Sequence, residues 1–320
     1  MSPSLQRRLP LLATAAMLVA LYVVAGLRYD NFFSARVAAD FFTDNAALGI
    51  AATGMTLVIF SGGIDLSVGA VVGFTSIFVA TLVEKQHVPP LLAATAALAI
   101  GTALGAGMGA LIHFFRQPAF LITLAGMFLM RGGAFWISTD SNGLAHPLLQ
   151  RLSLWELPLT DRSSLKISAL VLLALLALGG LLAHWTRFGR NLLALGGNES
   201  SARLMGLPIA TTRVGVYAFN GFCAALAGLA LLFNSGSGNP RDGLGLELDA
   251  IAVVVIGGTQ LAGGRGHMLG TLLGLLLFAV IQSGIRFDGS FDPAWTRIII
   301  GALLLGFILL QRMLLRRLES

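Results

Sequence analysis

Charged residues punctuate this chain without patterning it. Between them lie uncharged, largely apolar runs at 9–27, 45–64, 66–83, 91–112, 167–186, 214–240 and 266–285, each close to the roughly 20 residues that cross a hydrocarbon layer as a helix. The pattern predicts ten apolar segments, at about 9–27, 42–61, 66–84, 91–113, 118–137, 167–186, 214–234, 249–262, 268–286 and 294–312. The expected fold class is an all-α polytopic membrane protein, a single transmembrane domain over 1–320 with a cytoplasmic loop at about 187–213.

Composition agrees. Hydrophobic residues make up 56% and charged residues 11% of the 320, where soluble domains carry about 25% charge. No polar stretch exceeds about 30 residues, short of the roughly 50 of an independent domain, so any ATPase, binding or catalytic domain is expected on another chain. With the N-terminus inside, the cytoplasmic loops collect Arg7, Arg8, Arg116, Arg187, Arg190, Arg203, Arg213, Arg265, Arg312, Arg316 and Arg317, and the opposite loops carry more acid than base. The positive-inside rule then places both termini in the cytoplasm. The net charge of +6 lies at helix ends and not on one soluble face, which argues against a nucleic-acid partner. Cys223 is alone, so one copy can build neither a disulfide framework nor a Cys metal site. Arg7, Arg8 and the run after them look like a signal peptide, but the run is long and more spans follow, which favours a retained first helix.

One interruption stands out. In IFSGGIDLSVGA, residues 59–70, Gly62, Gly63, Asp65 and Ser67 break a membrane-length run. A carboxylate at the bilayer centre costs about 2.5 to 3.5 kcal/mol on insertion scales, so Asp65 is expected to work, either lining a passage or holding a gate through bonds to backbone N–H groups. Glycine permits conformations closed to other residues, which suits a break at Gly62–Gly63. Gly263, Gly264 and Gly270 repeat the spacing of Gly62, Gly63 and Gly69, a hint of paired broken segments in the two halves. Gly101, Gly105 and Gly109, like Gly270 and Gly274, recur every four residues and predict close helix packing; the dinucleotide-like spacing of Gly105, Gly107 and Ala110 has no preceding strand. Asn45, Thr123, Asn220 and Gln282 are further polar groups within spans that could replace water around a passing polar solute, or satisfy a neighbouring helix.

The loop 186–213 is the second informative region. Asn198 reads as an N-cap, Glu199 as a first-turn acid, Arg203 as a last-turn base, Gly206 as the terminator and Pro208 as the stop. This predicts a two-turn helix, too short to be stable alone and so expected to dock, with Ala202, Leu204 and Met205 as its contact surface.

Other chemistry finds little support. There is no HExxH, and His87, His113, His146, His184 and His267 are expected at different membrane ends, so no metal site is expected. Ser237 in SGSG lacks the leading glycine and strand-turn-helix setting of a nucleophile elbow. An intramembrane hydrolase would need a second inward carboxylate beside Asp65, and Asp249 is expected to cap the eighth segment. An ion-coupled carrier would need more ionisable groups inside spans than Asp65 and Arg131. No GxxxxGK[ST] occurs, and Lys85 and Lys166 are the only lysines, so no phosphate loop, nucleotide site or other cofactor site is expected.

SGGIDLSVG, RFGRNLLALGGNESSARLMGLP and ELDAIAVVVIGGTQLAGGRGHMLGT (247–271), in this order, resemble the ribose/galactose-type permeases of bacterial ABC importers. The likeness runs over essentially the whole chain, with departures from the glycine-rich motif at Ala262 and Arg265. TDNAALGIAATGMTLVIFSGGIDLSVG, PAFLITLAGMFLMRG (118–132), His146–Pro147 and RFDGSFDPAWTRI (286–298) look most like the galactofuranose branch. The resemblance implies an ABC permease fold in the bacterial inner membrane, without enzymatic activity, passing a monosaccharide. It also implies three partners: a tandem ATPase, a second, paralogous permease and a periplasmic sugar-binding protein. Asn198, Glu199, Ala202, Arg203 and Gly206 would then match the element that couples to the ATPase.

Overall fold

The computed structural model describes residues 3–160, 163–289 and a few positions between 295 and 306. In chain order the elements are α1 (Pro3–Arg28), α2 (Ala35–Asp44), α3 (Ala46–Phe60), α4 (Val68–Glu84), α5 (Pro90–Phe114), α6 (Ala119–Ile137), β1 (Asn142–Gly143), α7 (Pro147–Leu154), β2 (Glu156–Thr160), β3 (Ser163–Lys166), α8 (Ile167–Trp185), α9 (Arg187–Gly197), α10 (Glu199–Leu204), α11 (Ile209–Ser235), β4 (Ser237–Gly238), α12 (Leu246–Ile256) and α13 (Met268–Asp288). Among the described residues six helices are long and apolar enough to cross a membrane, or seven if α2 and α3 count as one span bent by 58°. The expected tenth segment, 294–312, lies outside the described residues apart from scattered helical positions.

Two expected spans differ in form. The segment 42–61 is the bent pair α2 and α3, and its kink falls at Asn45, whose side chain donates to the Phe41 carbonyl at 3.0 Å. Helix α12 has 11 residues, about 16 Å at 1.5 Å per residue, well short of a bilayer. It begins at Leu246, after Gly245 in the left-handed region at φ +83°, so Asp249 lies inside its first turn and not at the cap, as the sequence suggested. Helix α3 is also short, and all 15 of its residues are buried. Apolar on every side, it can only be a central helix, and α8, α11, α12 and α13 surround it.

Small residues set the tightest packing. A Cβ at Gly101 would fall 2.7 Å from the Gly221 carbonyl oxygen and one at Gly109 2.9 Å from Val214 Cα, while Gly105 lies against the Tyr217 carbonyl. Helices α5 and α11 therefore meet backbone to backbone along the expected glycine stripe. Gly270 and Gly274 do the same on α12, against the carbonyls of Gly257 and Val253.

The connections gather at two ends. At one, 138–166 meets the 236–245 turn: β1 pairs antiparallel with β4, Asn142 opposite Gly238, and the Glu84 carboxylate accepts the Ala145 and His146 N–H groups at 2.8 Å each. At the other, the 61–67 break, the end of α5, α9–α10 and the 257–267 turn come together.

Candidate gate and coupling site

Between α3 and α4 the chain is held open by local bonds. Gly62 lies at φ +78°, a region costly for any residue with a Cβ, and the Gly62 and Gly63 N–H groups donate back to Ile59 and Val58 at 2.9 and 3.1 Å. Asp65 is 1% exposed. Its Oδ1 accepts the Ser67 backbone N–H at 2.9 Å and the Ser67 hydroxyl at 2.6 Å, an Asx turn that starts α4 where Ser67 itself makes no cap bond. Its Oδ2 accepts from Asn220 Nδ2 at 2.8 Å. Both oxygens of the carboxylate thus face protein donors.

Of the expected pathway residues, Gly62, Gly63, Asp65, Ser67, Thr123 and Asn220 converge here. The Thr123 hydroxyl bonds its own helix at Ala119 at 2.9 Å and reaches toward the Ile64 carbonyl at 3.4 Å. Asn45 sits at the kink described above, and Gln282 is half-buried on α13, joined to the break by no hydrogen bond among the described residues. Tyr217 is the residue that sequence reasoning missed: its hydroxyl donates to the Ile64 carbonyl at 3.4 Å, and a Cβ at Gly63 would collide with it. Its signal was present in the sequence, since Arg213, Tyr217 and Asn220 form a polar series at i, i+4 and i+7 in a largely apolar helix.

Three Gly-Gly pairs meet beside the break. A Cβ at Gly263 would fall 2.6 Å from Gly62 Cα and 3.1 Å from Gly196 Cα, and one at Gly264 2.6 Å from Gly197 Cα. The Gly264 N–H donates to the Phe60 carbonyl at 3.0 Å. The repeated spacing of Gly62–Gly63 and Gly263–Gly264 thus marks two turns that touch, with Gly196–Gly197, unnoticed in the sequence, as the third member.

The loop after α9 forms α10 as the sequence predicted, shortened to six residues. Asn198 Oδ1 caps it by accepting the Ser201 N–H at 2.8 Å. Gly206, at φ +73°, ends it: Leu207 N–H donates to Ala202 and Gly206 N–H to Arg203, at 3.2 and 3.0 Å, the paired bonds of a Schellman stop. Glu199 bonds Arg213 at 2.6 Å and Arg203 at 3.0 Å. The Arg213 guanidinium hydrogen-bonded to it holds the Glu199 carboxyl below the usual carboxylate range. Ala202 is fully buried against its own chain, contrary to its expected place on the contact surface; Leu204 and Met205, 90% and 65% exposed, are the residues free to meet a partner. A cleft of about 430 Å³ separates α10 from the break, walled by Ser61, Gly62, Arg116, Glu199, Arg213 and Tyr217.

Two further polar clusters complete the picture. Arg131 on α6 donates to the carbonyls of Pro240, Asp242 and Gly69 at 2.6, 2.8 and 3.1 Å, pinning the 236–245 turn to α4. His184 and His267, expected apart, stack with ring centroids 4.1 Å apart, because α8 ends where α13 begins. His184 Nε2 accepts the Met268 N–H and His267 Nδ1 the Leu269 N–H, at 3.2 and 3.1 Å. Among the described residues no group of three metal-ligating side chains occurs.

The family model described as "Branched-chain amino acid transport system / permease component" matches residues 37–308. The inner membrane ABC transporter permease protein YjfF of Escherichia coli K12 is 46% identical over 310 residues, covering 96% of this chain and 93% of that one. The fructose import permease protein FruG of Bifidobacterium longum is 36% identical, covering 96% and 92%, and the ribose import permease protein RbsC of E. coli K12 is 37% identical, covering 86% and 85%. No solved structure matches. A buried central helix with a broken continuation, a capped surface helix and a match over most of the length agree: the chain belongs to this family of ABC transporter permeases, as a multi-pass inner-membrane protein and not an enzyme.

Proposed function

We propose that this chain is the membrane-spanning permease subunit of an ABC sugar importer, that the residues around the 61–67 break form or gate its passage, and that an ATPase subunit docks on α10. The observation that carries the reading is α10 itself. It is capped at both ends and clasped by Glu199 to Arg213, yet presents Leu204 and Met205 to solvent. Exposed large apolar side chains on a rigid polar-rimmed loop suit a partner interface. A proton-coupled carrier has less to stand on, because the carboxylate of Asp65 is engaged by neutral donors and Arg131 by carbonyls.

The end bearing Arg116, Arg187, Arg190, Arg203, Arg213 and Arg265 faces the cytoplasm. The opposite end, with α7 and the β2–β3 hairpin, receives a periplasmic sugar-binding protein. A second, paralogous permease completes the passage, and a tandem ATPase supplies energy. The relatives named for ribose and fructose import support a monosaccharide substrate, and the motifs at 118–132 and 286–298 favour galactofuranose. The test is reconstitution into proteoliposomes with these partners: ATP-dependent uptake of galactofuranose in preference to ribose and fructose is expected. Replacing both docking residues, Leu204→Asp with Met205→Asp, is expected to release the ATPase from the membrane; retention would refute the dock.

A further inference from the structure

Three side chains on one face of α11 join parts that are otherwise separate. Arg213 bonds Glu199 of α10 at 2.6 Å, Tyr217 donates to the Ile64 carbonyl at 3.4 Å, and Asn220 donates to Asp65 at 2.8 Å. Spaced i, i+4 and i+7, they form one stripe running from the surface helix to the break. Polar groups on a buried face are costly unless bonded, and these bond different elements instead of their own helix.

The surroundings make this helix a stiff connector. Gly101 and Gly109 of α5 bring backbone against Gly221 and Val214, so no layer of soft side chains lies there to absorb a displacement. The Arg213 side chain is 16% exposed, and it leaves α10 tied to the first turns of α11. At the far end of the stripe, the buried Asn220 Oδ1 has no hydrogen-bond partner among the described residues. That oxygen lies against Gly54 of α3, so the stripe also touches the helix that leads into the break, and chains of packed, hydrogen-bonded side chains carry coupling between sites.

We propose that Arg213 is a positioning residue that transmits displacement of α10 through the Arg213–Tyr217–Asn220 stripe to the 61–67 break, so that ATPase engagement opens or closes the passage. The proposal rests on the reading of α10 as the ATPase dock. It assigns Arg213 and Tyr217 no contact with the sugar or with ATP; their part is to keep hydrolysis and gating in step.

The complete importer in proteoliposomes separates the two ideas. ATPase retention on the membrane reports docking; sugar molecules taken up per ATP hydrolysed, with basal and binding-protein-stimulated hydrolysis, reports the relay. Arg213→Gln is expected to lower uptake per ATP hydrolysed at least ten-fold, and Arg213→Lys restores most of it. Tyr217→Phe, which deletes one oxygen and so keeps the buried ring, is expected to lower the same ratio about three-fold. An unchanged ratio in either Arg213→Gln or Tyr217→Phe, with ATPase bound, overturns the relay and leaves the dock standing. Loss of bound ATPase in Tyr217→Phe, whose hydroxyl bonds Ile64 at the break, also overturns it.

Discussion

At the scale of single residues, Asp65 is a buried acid with both carboxyl oxygens hydrogen-bonded. It receives three hydrogen bonds from Ser67 and Asn220, and an unsatisfied buried partner costs about 1–3 kcal/mol. Asp65→Ala strands those donors and is expected to lower membrane levels and the detergent melting temperature, with loss of uptake; Asp65→Asn keeps most acceptor capacity and retains part of each. Wild-type melting and uptake in Asp65→Ala would refute the holding role. His267 makes a second residue-scale prediction. Burial lowers its pKa from the ordinary histidine value, and its neutral Nδ1 caps α13. A group with a depressed folded pKa stabilises above its unfolded value of about 6.5 and loses that contribution as pH falls through the folded value. Melting temperature is therefore expected to fall as pH drops from 7 to 5. In His267→Asn, which caps without titrating, the decline should be shallower; an identical decline would exclude the cap as its source.

At the scale of elements, the junction of three Gly-Gly pairs binds the end of α3, the α9–α10 loop and the turn before α13. Gly263 lies at φ +84° with Gly62 Cα 2.6 Å from a would-be Cβ. Gly263→Ala combines a left-handed conformation with overpacking, together about 2–4 kcal/mol. It should lower the melting temperature sharply, whereas Gly197→Ala, where a Cβ meets nothing within 4 Å, should be tolerated. Equal melting of the two variants would show that the close contacts do not constrain the junction.

At the scale of the whole molecule, 138–166 and 187–213 lie at opposite ends of the bundle. Ser141 and Ser200 are both exposed and Cys223 is buried. In a Cys223→Ser background, Ser141→Cys is expected to react with an impermeant thiol reagent in intact cells, and Ser200→Cys only after the cytoplasmic face is opened. Labelling of both in intact cells would overturn the orientation drawn from the arginines.

The sequence by itself determined whatever depends on one segment and its solvent. Long uncharged runs need hydrocarbon, Asn198 and Gly206 bound a short helix through local bonds, and glycines every fourth residue require a close neighbour. These readings hold because caps, helix periods and burial are written in adjacent residues. The tertiary structure alone decided which distant segments share a point. Nothing local in Gly62, Gly196 or Gly263 tells that the three meet, nor that α8 delivers His184 onto His267. The kink at Asn45 and the shortness of α12 were likewise illegible, since apolar composition records that a segment is buried and not whether it crosses. Asp65 shows the division most clearly: its placement in a membrane-length run announced a role, and only the approach of α11, bringing Asn220 to 2.8 Å, showed which donors hold its carboxyl oxygens.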